Sequence, residues 1–539
     1  MAKASSKPAS PDLSGKINVL LIGGGGREHA LAWRLKQSPR LGRLYATDCK
    51  NPGIADLAEP YPSTINYPRK DFFEVCRFCQ QKNVGLVVIG PEDPLAAGLA
   101  DALAQPVMPG EPVPAVFGPV RAGAMLETDK AWCKQLLRGA AVPIAEGRAF
   151  NDAEGAIGYI ESRVSARRAV EQYITQADQI RDQEERAKSL LEAIEKVAVS
   201  LTPVDRAPGV IALTLAIAEA QRDPTDRRAL VEQLRRTNRT IGGAYVTELP
   251  NLPVIKASGL AKGKGVVVPK TLDEALVAID RIMVRREFGD AGRTVVIEEK
   301  LSGQEVSVFA LIDGRNIYTL ESCQDHKRLK DGAVGPNTGG MGAVSPPHPS
   351  ADVTEALITR IEREVLVPTL DALRREEVEF RGIVYAGIML TPGGPKVLEY
   401  NARFGDPECQ VLMRRMQGDV LDILLATATQ TLHEVELSWD PRPAVCVVLA
   451  AGGYPDKPVA GAAISGLDEA AAVAGVQIFH AGTARSNKGE IVTAGGRVLN
   501  VTAIGETLDA ARAAAYKAVD LIRFEGMQVR RDIGSGVVG

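Results

Sequence analysis

The stretch Leu398–Gln410, LEYNARFGDPECQ, gathers Glu399, Asn401, Arg403, Asp406 and Glu408 into a short run. On a β-strand alternate side chains share a face, so Glu399 and Asn401 point the same way. A carboxylate and a neutral amide oxygen are hard ligands for a divalent cation. A guanidinium just beyond them supplies planar positive charge to a transferring phosphoryl group. These residue types suit a metal ion clamped onto polyphosphate, with Glu399 and Asn401 as ligands and Arg403 beside them. A strand end with solvated polar groups looks much the same, so support must come from elsewhere in the chain.

Two distant segments supply it. Val254–Pro269, VIKASGLAKGKGVVVP, reads as a strand closed by Lys256, a loop with Gly259, Gly263 and Gly265, and a second strand. Glycines let backbone N–H groups approach phosphate oxygens, and Lys262 and Lys264 neutralise charge. The two strands make this a hairpin flap, unlike a phosphate loop that runs from strand into helix. The other segment, Gln324–Pro346, is rich in Gly, Asn, Asp and Pro and is expected to be irregular. It packs Asp325, His326, Lys327, Arg328, Asn337 and Thr338 closely together, which favours a binding loop over a linker.

The N-terminal part opens with an apolar strand, Ile17–Ile22, then Gly23–Gly26 and a helix from Glu28 to about Lys36. This is the opening of a nucleotide-type α/β domain, with a helix N-terminus and glycine N–H groups ready to meet an anion. A second strand, Val84–Ile89, ends in Gly90-Pro91-Glu92 at the equivalent edge of the sheet. After Leu437, Pro443–Ala450 and Ile491–Thr502 read as strands and Asp509–Arg523 as a helix.

Together with GGGGREHALAWRL at the N-terminal turn, these segments resemble the glycinamide ribonucleotide synthetases, or phosphoribosylamine–glycine ligases, of the ATP-grasp superfamily. The similarity runs from about Ile17 to about Arg163, resumes near Leu249 and continues almost to the C-terminus. The resemblance implies an α/β fold with an N-terminal Rossmann-like (pre-ATP-grasp) domain, an ATP-grasp domain and a small C-terminal α/β domain. The boundaries expected are 1–16 for a disordered tail, then 17–116, 117–436 and 437–539 for the domains. The activity implied is ATP-dependent joining of glycine to 5-phosphoribosylamine with Mg2+ or Mn2+, through a glycyl phosphate. By the same resemblance, Gly25, Gly26, Arg27 and Glu28 hold the phosphate of phosphoribosylamine, and Pro91 and Glu92 its ribose. Lys130 and Lys256 bind ATP phosphates beneath Gly263, Lys264 and Gly265. Glu298 and Leu301 match the hinge strand at the adenine edge, and Glu305 the ribose carboxylate. Asp325, Lys327, Arg328, Asn337, Thr338 and Gly339, with Asp406 and Glu408, receive glycine's ammonium and the second substrate's amine.

One part departs from the family. At about 164–247, apolar residues at helical spacing (Val170, Tyr173, Ile174, Ala177 and Ile180, then Leu190, Leu191, Ile194, Val197 and Leu201) indicate a helical insertion. Ser258 also stands where the family pattern has an aspartate.

Composition bounds the rest. At 539 residues the chain needs several cores. Its formal net charge of -3 offers no global attraction to nucleic acid or anionic membrane, and no apolar run nears the ~20 residues of a bilayer span. Seven cysteines in so long a chain point to a reducing, cytoplasmic setting. Cys76 and Cys79 lack a second pair for zinc and read as half-buried thiols on a helix. A monomer or weak homodimer is expected. The rival readings are another ATP-grasp ligase, such as a biotin carboxylase, and a catalytically silent scaffold acting through the insertion. The 325–345 pattern weighs against the first, and the intact metal and phosphate residues against the second.

Overall fold

The computed structural model describes residues 13–161, 252–261 and 264–536, with the single positions 185, 189 and 192. Gly263, the expected tail up to residue 12 and the expected insertion, apart from those three positions, lie outside the described residues. The chain forms two compact units, Met1–Ile144 with Gly303–Gly539, and Ala145–Ser302.

In the first unit, β1 (Ile17–Ile22), β2 (Leu41–Ala46), β3 (Glu59–Pro60), β4 (Val84–Ile89) and β5 (Ala115–Phe117) form a sheet ordered β3-β2-β1-β4-β5. All of its pairings are parallel. Every residue of β4 is buried, which is why β1 and β4 are nearly unbroken apolar runs. The strand order reverses between β1 and β4, so the turns that follow them open side by side at the sheet's carboxyl edge. Gly23 leaves β1 at φ +110, a conformation that favours glycine. The helix Gly26–Leu35 then begins, with Glu28 in its first turn.

A second sheet is antiparallel. Its order is β11-β10-β16-β17, built from β10 (Gln304–Asp313), β11 (Ile317–Thr319), β16 (Arg381–Thr391) and β17 (Gly394–Asn401). The β16–β17 register shifts between Gly387 and Ile388, so Leu398 is extra and Glu399 faces Gly387. Such a bulge re-aims the strand end that follows it.

The third sheet departs from expectation. The segment 324–346 is not irregular: it holds β12 (Gln324–Asp325), the hairpin β13 (Arg328–Lys330) with β14 (Val334–Asn337), and β15 (Gly342–Ser345). β12 and β15 extend a C-terminal sheet of β18 (Ala444–Ala450), β19 (Val476–His480) and β22 (Arg497–Ile504), ordered β12-β15-β18-β22-β19. Without a side chain, Gly342 can lie against β18, where a Cβ would stand 2.6 Å from the Cys446 carbonyl oxygen. The single strand expected at Ile491–Thr502 is two. β21 (Ile491–Thr493) pairs with β20 (Thr483–Arg485), and the chain turns before β22. Gly482 and Gly495 allow that turn, since a Cβ on Gly482 would meet the Gly495 Cα at 2.6 Å.

The second unit is built on an antiparallel sheet, β6-β9-β7-β8, of β6 (Gly147–Phe150), β7 (Val254–Ala257), β8 (Val266–Val267) and β9 (Val295–Glu298). β7 and β8 form the expected hairpin. The helix Leu272–Ile279, capped by Thr271, packs Ala275, Ala278 and Ile279 against Ile255, Ala257, Val295 and Ile297.

Among the described residues no helix is long and apolar enough to cross a membrane. All seven cysteines are free. Cys76 and Cys79 lie buried in the helix Phe73–Gln81, and burial pushes the Cys76 thiol up to about 11 and the Cys79 thiol higher still.

Burial also holds three histidines neutral. It lowers His29 to about 3 and both His326 and His480 to about 4. An unfolded histidine titrates near ~6.5, so below that pH the unfolded chain binds the extra protons. The stability these groups contribute is therefore full above about pH 6.5 and drains away as pH falls toward 4 and then 3. Urea unfolding should show a midpoint that drops between pH 7 and 5. His29→Gln should flatten that dependence, and an identical slope in the variant would contradict the assignment.

Candidate active site

A cluster of charged side chains in the first unit assembles at the end of β17. Glu399 and Asn401 stand on one face while Tyr400 turns into the core. Tyr400 is fastened there by its hydroxyl, 2.7 Å from Thr369 Oγ1. Lys327, just beyond β12, reaches the same place: its ammonium donates to Glu305 and lies 3.5 Å from a Glu399 oxygen. A Cβ on Gly387 would stand 3.5 Å from Glu399 Cγ and 3.7 Å from Glu305 Oε1, so both carboxylates flank that glycine. Burial opposes a charge on Lys327, yet Glu305 above all, then Tyr385 and Glu399, keep it well above the usual lysine range.

Arg403 follows directly. Its Nε donates to Glu92 Oε2 at 3.2 Å, its Nη2 to Glu127 Oε1 at 2.8 Å and its Nη1 to the Phe404 carbonyl at 3.2 Å. The second Glu127 oxygen accepts from the Ala402 N–H at 2.8 Å. The guanidinium is thus held by its whole planar fork, which a lysine could not reproduce. Arg27 shares the Phe404 carbonyl, donating at 2.9 Å, and its Nε donates to Glu28 Oε1 at 2.6 Å. Glu28 closes the glycine turn by accepting from the Gly25 N–H at 2.7 Å, where a carboxylate also suits the positive end of the helix dipole.

Asp406 accepts from Gln410 at 2.8 Å and lies 3.6 Å from an Arg497 nitrogen. Burial would raise its carboxyl, but Arg497 and Arg27 hold it below the usual range. Asp325 and Glu408 have no direct ion pair among the described residues. Burial raises both, and Glu408 adds to the rise at Asp325. Asp325 keeps a shielded Oδ1 with no hydrogen-bond partner. Thr338 is used internally: its hydroxyl donates to the Lys327 carbonyl at 2.8 Å and accepts from the Gly340 N–H at 3.0 Å. The Gly339 carbonyl accepts from Arg497 at 2.5 Å.

Not every expected residue joins this cluster. Arg328 donates to the Gly335 carbonyl at 3.0 Å within its own hairpin, and Asn337 is exposed on the same hairpin. Pro91 and Glu92 open the short helix after β4, where Glu92 meets Arg403. Lys130 is the first residue of the helix Lys130–Gly139, which Asp129 caps by accepting from the Trp132 N–H at 3.0 Å. In the second unit, Lys256 is buried and ion-paired with Glu298 at the β7–β9 pairing. Leu301 is buried nearby in sequence, while Lys264 is exposed and Gly265 is buried, its carbonyl accepting from Ala257 at 2.8 Å. Glu127, Tyr385 and Arg497 were not anticipated. Glu127 stands only three residues before Lys130, and the other two lie apart from the motifs, but no local spacing signals any of them.

A carboxylate and an amide on one strand face form a hard-oxygen set that suits Mg2+ or Mn2+. Among the described residues no three His, Cys, Asp or Glu side chains form a metal cage.

The glycine edge around Glu28 generates a test. A Cβ on Gly90 would stand 2.0 Å from Glu28 Oε1. Gly90→Ala should push the carboxylate out of its bond with Gly25 and destabilise the first unit by about 1–3 kcal/mol. Chemical unfolding reads this directly, and an unshifted midpoint would contradict the packing described.

Three family models match in order. They are the phosphoribosylglycinamide synthetase N domain over residues 17–127, its ATP-grasp (A) domain over 231–409 and its C domain over 444–536. The phosphoribosylamine–glycine ligase of Rhodopirellula baltica is 41% identical over 519 residues, covering 96% of this chain and 97% of that one. That of Mesorhizobium japonicum is 40% identical, covering 96% and 98%. Among solved structures, the phosphoribosylamine–glycine ligase of Thermotoga maritima aligns with a TM-score of 0.65 at 27% identity, covering 96% of this chain and all of that one. A biotin carboxylase from Campylobacter jejuni, at 13% identity and a TM-score of 0.56 over 95% of this chain and 92% of its own, shares the fold. This chain belongs to the phosphoribosylglycinamide synthetase family, the phosphoribosylamine–glycine ligases.

Proposed function

We propose that this chain joins glycine to 5-phosphoribosylamine with ATP, giving glycinamide ribonucleotide, ADP and phosphate in de novo purine biosynthesis. The observation that carries the reading is the strand end that presents Glu399, beside Lys327, and Asn401, two residues before the clamped Arg403, in a chain matched along its length by ligases of that name.

Phosphoryl transfer requires alignment and charge neutralisation more than proton chemistry. An oxygen of the glycine carboxylate attacks the γ-phosphorus of ATP, forming glycyl phosphate and releasing ADP. The amine of phosphoribosylamine then attacks the acyl carbon, the carbon–oxygen bond breaks and phosphate leaves. Arg403 faces the transferring charge, while Lys130 and Lys256 bind phosphates, helped by Gly263, Lys264 and Gly265. Glu399 and Asn401 would hold a Mg2+ or Mn2+ ion, which would supply further neutralisation of the polyphosphate. Glu298 and Leu301 serve the adenine, and Glu305 the ribose hydroxyls. Gly25, Gly26, Arg27, Glu28, Pro91 and Glu92 hold the phosphoribosyl group. Asp325, Lys327, Arg328, Asn337, Thr338, Gly339, Asp406 and Glu408 receive the two amino groups.

The expected domain limits, 17–116, 117–436 and 437–539, belong to the same reading. So do a cytoplasmic setting, a monomer or weak homodimer, and small-molecule partners without nucleic acid or membrane. The seven free thiols and the near-neutral net charge of -3 support it.

The deciding experiment is ADP release with ATP, glycine and freshly made phosphoribosylamine, omitting each in turn. Release that persists without glycine would sink the proposal. Glu399→Gln should lower metal-dependent turnover by roughly two orders of magnitude or more while the fold survives; full activity at saturating magnesium would remove Glu399 from the ligand set. Arg403→Lys should lower kcat more than it raises KM for ATP. A variant altered in ATP affinity alone would make Arg403 a ground-state binder.

A further inference from the structure

We propose that Glu127 is the positioning residue that sets Lys130 and Arg403 in register with one another. Glu127 lies in the last turn of the helix Arg121–Thr128, where the helix dipole disfavours a carboxylate, and it is only 7% exposed. Burying a charge in such a place is unfavourable unless dedicated partners offset it. Two partners do so, and they are consecutive residues. One oxygen accepts from the Ala402 N–H at 2.8 Å and the other from Arg403 Nη2 at 2.8 Å. Both follow directly on Asn401, so this one side chain fixes the backbone that leaves β17 as well as the guanidinium. On its own chain Glu127 stands two residues before Asp129, the cap of the next helix, whose first residue is Lys130. A helix interior position could stabilise the fold without touching this strand. Here the carboxylate instead ties the helix that runs directly into the Asp129 cap and Lys130 to the strand end that presents Arg403. Glu92, the second anion on Arg403, has a different consequence: it lies after β4 and bonds Nε alone.

The inference rests on the ligase reading, and its test separates the two. Wild-type protein that releases no glycine-dependent ADP would overturn the ligase reading. An active wild type that is indifferent to Glu127 would overturn this inference alone. In Glu127→Gln the side chain keeps its size, but only one oxygen remains, so one of the two donors faces an amide NH2. Its kcat should fall by about tenfold or more while KM for ATP changes less than about threefold, with cooperative melting retained. The same substitution in an Arg403→Ala background should change kcat less than about twofold, because a residue that acts through Arg403 has nothing left to position. Equal losses in the two backgrounds, or an unchanged kcat in Glu127→Gln, would overturn the proposal. Should Glu127→Gln melt without cooperativity, Glu127→Asp takes its place: it keeps the charge but not the reach, and full kcat there would likewise overturn it.

Discussion

Carboxylates brought together out of water need cations beside them, and the cluster at the end of β17 is rich in carboxylates. The rest of the structure depends on how their charge is balanced. Lys327 serves Glu305 and Glu399, Arg403 serves Glu92 and Glu127, Arg27 serves Glu28, and Arg497 lies beside Asp406. Each cation comes from a different element: the strand end of the second sheet, the first turn of the helix that follows β1, the segment between β12 and β13, and the start of β22. Charge balance therefore draws three sheets together at one place in the first unit. Asp325 and Glu408 have no direct ion pair among the described residues, and burial raises both carboxyls.

The second unit follows the same logic on a smaller scale. Lys256 is buried yet paired with Glu298, so the charge of the glycine hairpin is held in place by its own sheet. Backbone bonds from Ser258 to Thr294 at 2.9 Å and from Gly259 to Ala291 at 3.1 Å tie the start of the loop to the segment before β9. The serine that replaces the family's aspartate is buried at this junction. The chain passes between the two units at Ile144–Ala145 and at Ser302–Gly303.

Much of this was legible in the sequence because local pattern and global fold agree. The strands Ile17–Ile22 and Val84–Ile89 begin and end where their apolar runs do, and the glycine turn leads into a helix. The hairpin around Lys256 and the shared face of Glu399 and Asn401 follow from alternation alone. What was not legible depends on partners distant in the chain. The segment 324–346 looks irregular because its strands are short and glycine-rich, and their order comes from pairing with β18, about a hundred residues later. The bulge at Leu398 depends on the register with β16. Glu127 and Arg497 carry no motif, since what distinguishes each is a hydrogen bond to a residue far away in sequence. The helical stripes at 164–247 fall outside the described residues.

Carboxylate activation by phosphoryl transfer at this charge-balanced strand end leaves an isotopic signature in the released phosphate. Glycine carrying 18O in both carboxylate oxygens would be turned over with unlabelled ATP and phosphoribosylamine, and the released phosphate analysed by mass. The account predicts one 18O atom in each phosphate, because the oxygen that attacked the γ-phosphorus leaves with it. Phosphate free of label, alongside normal product formation, would contradict the account.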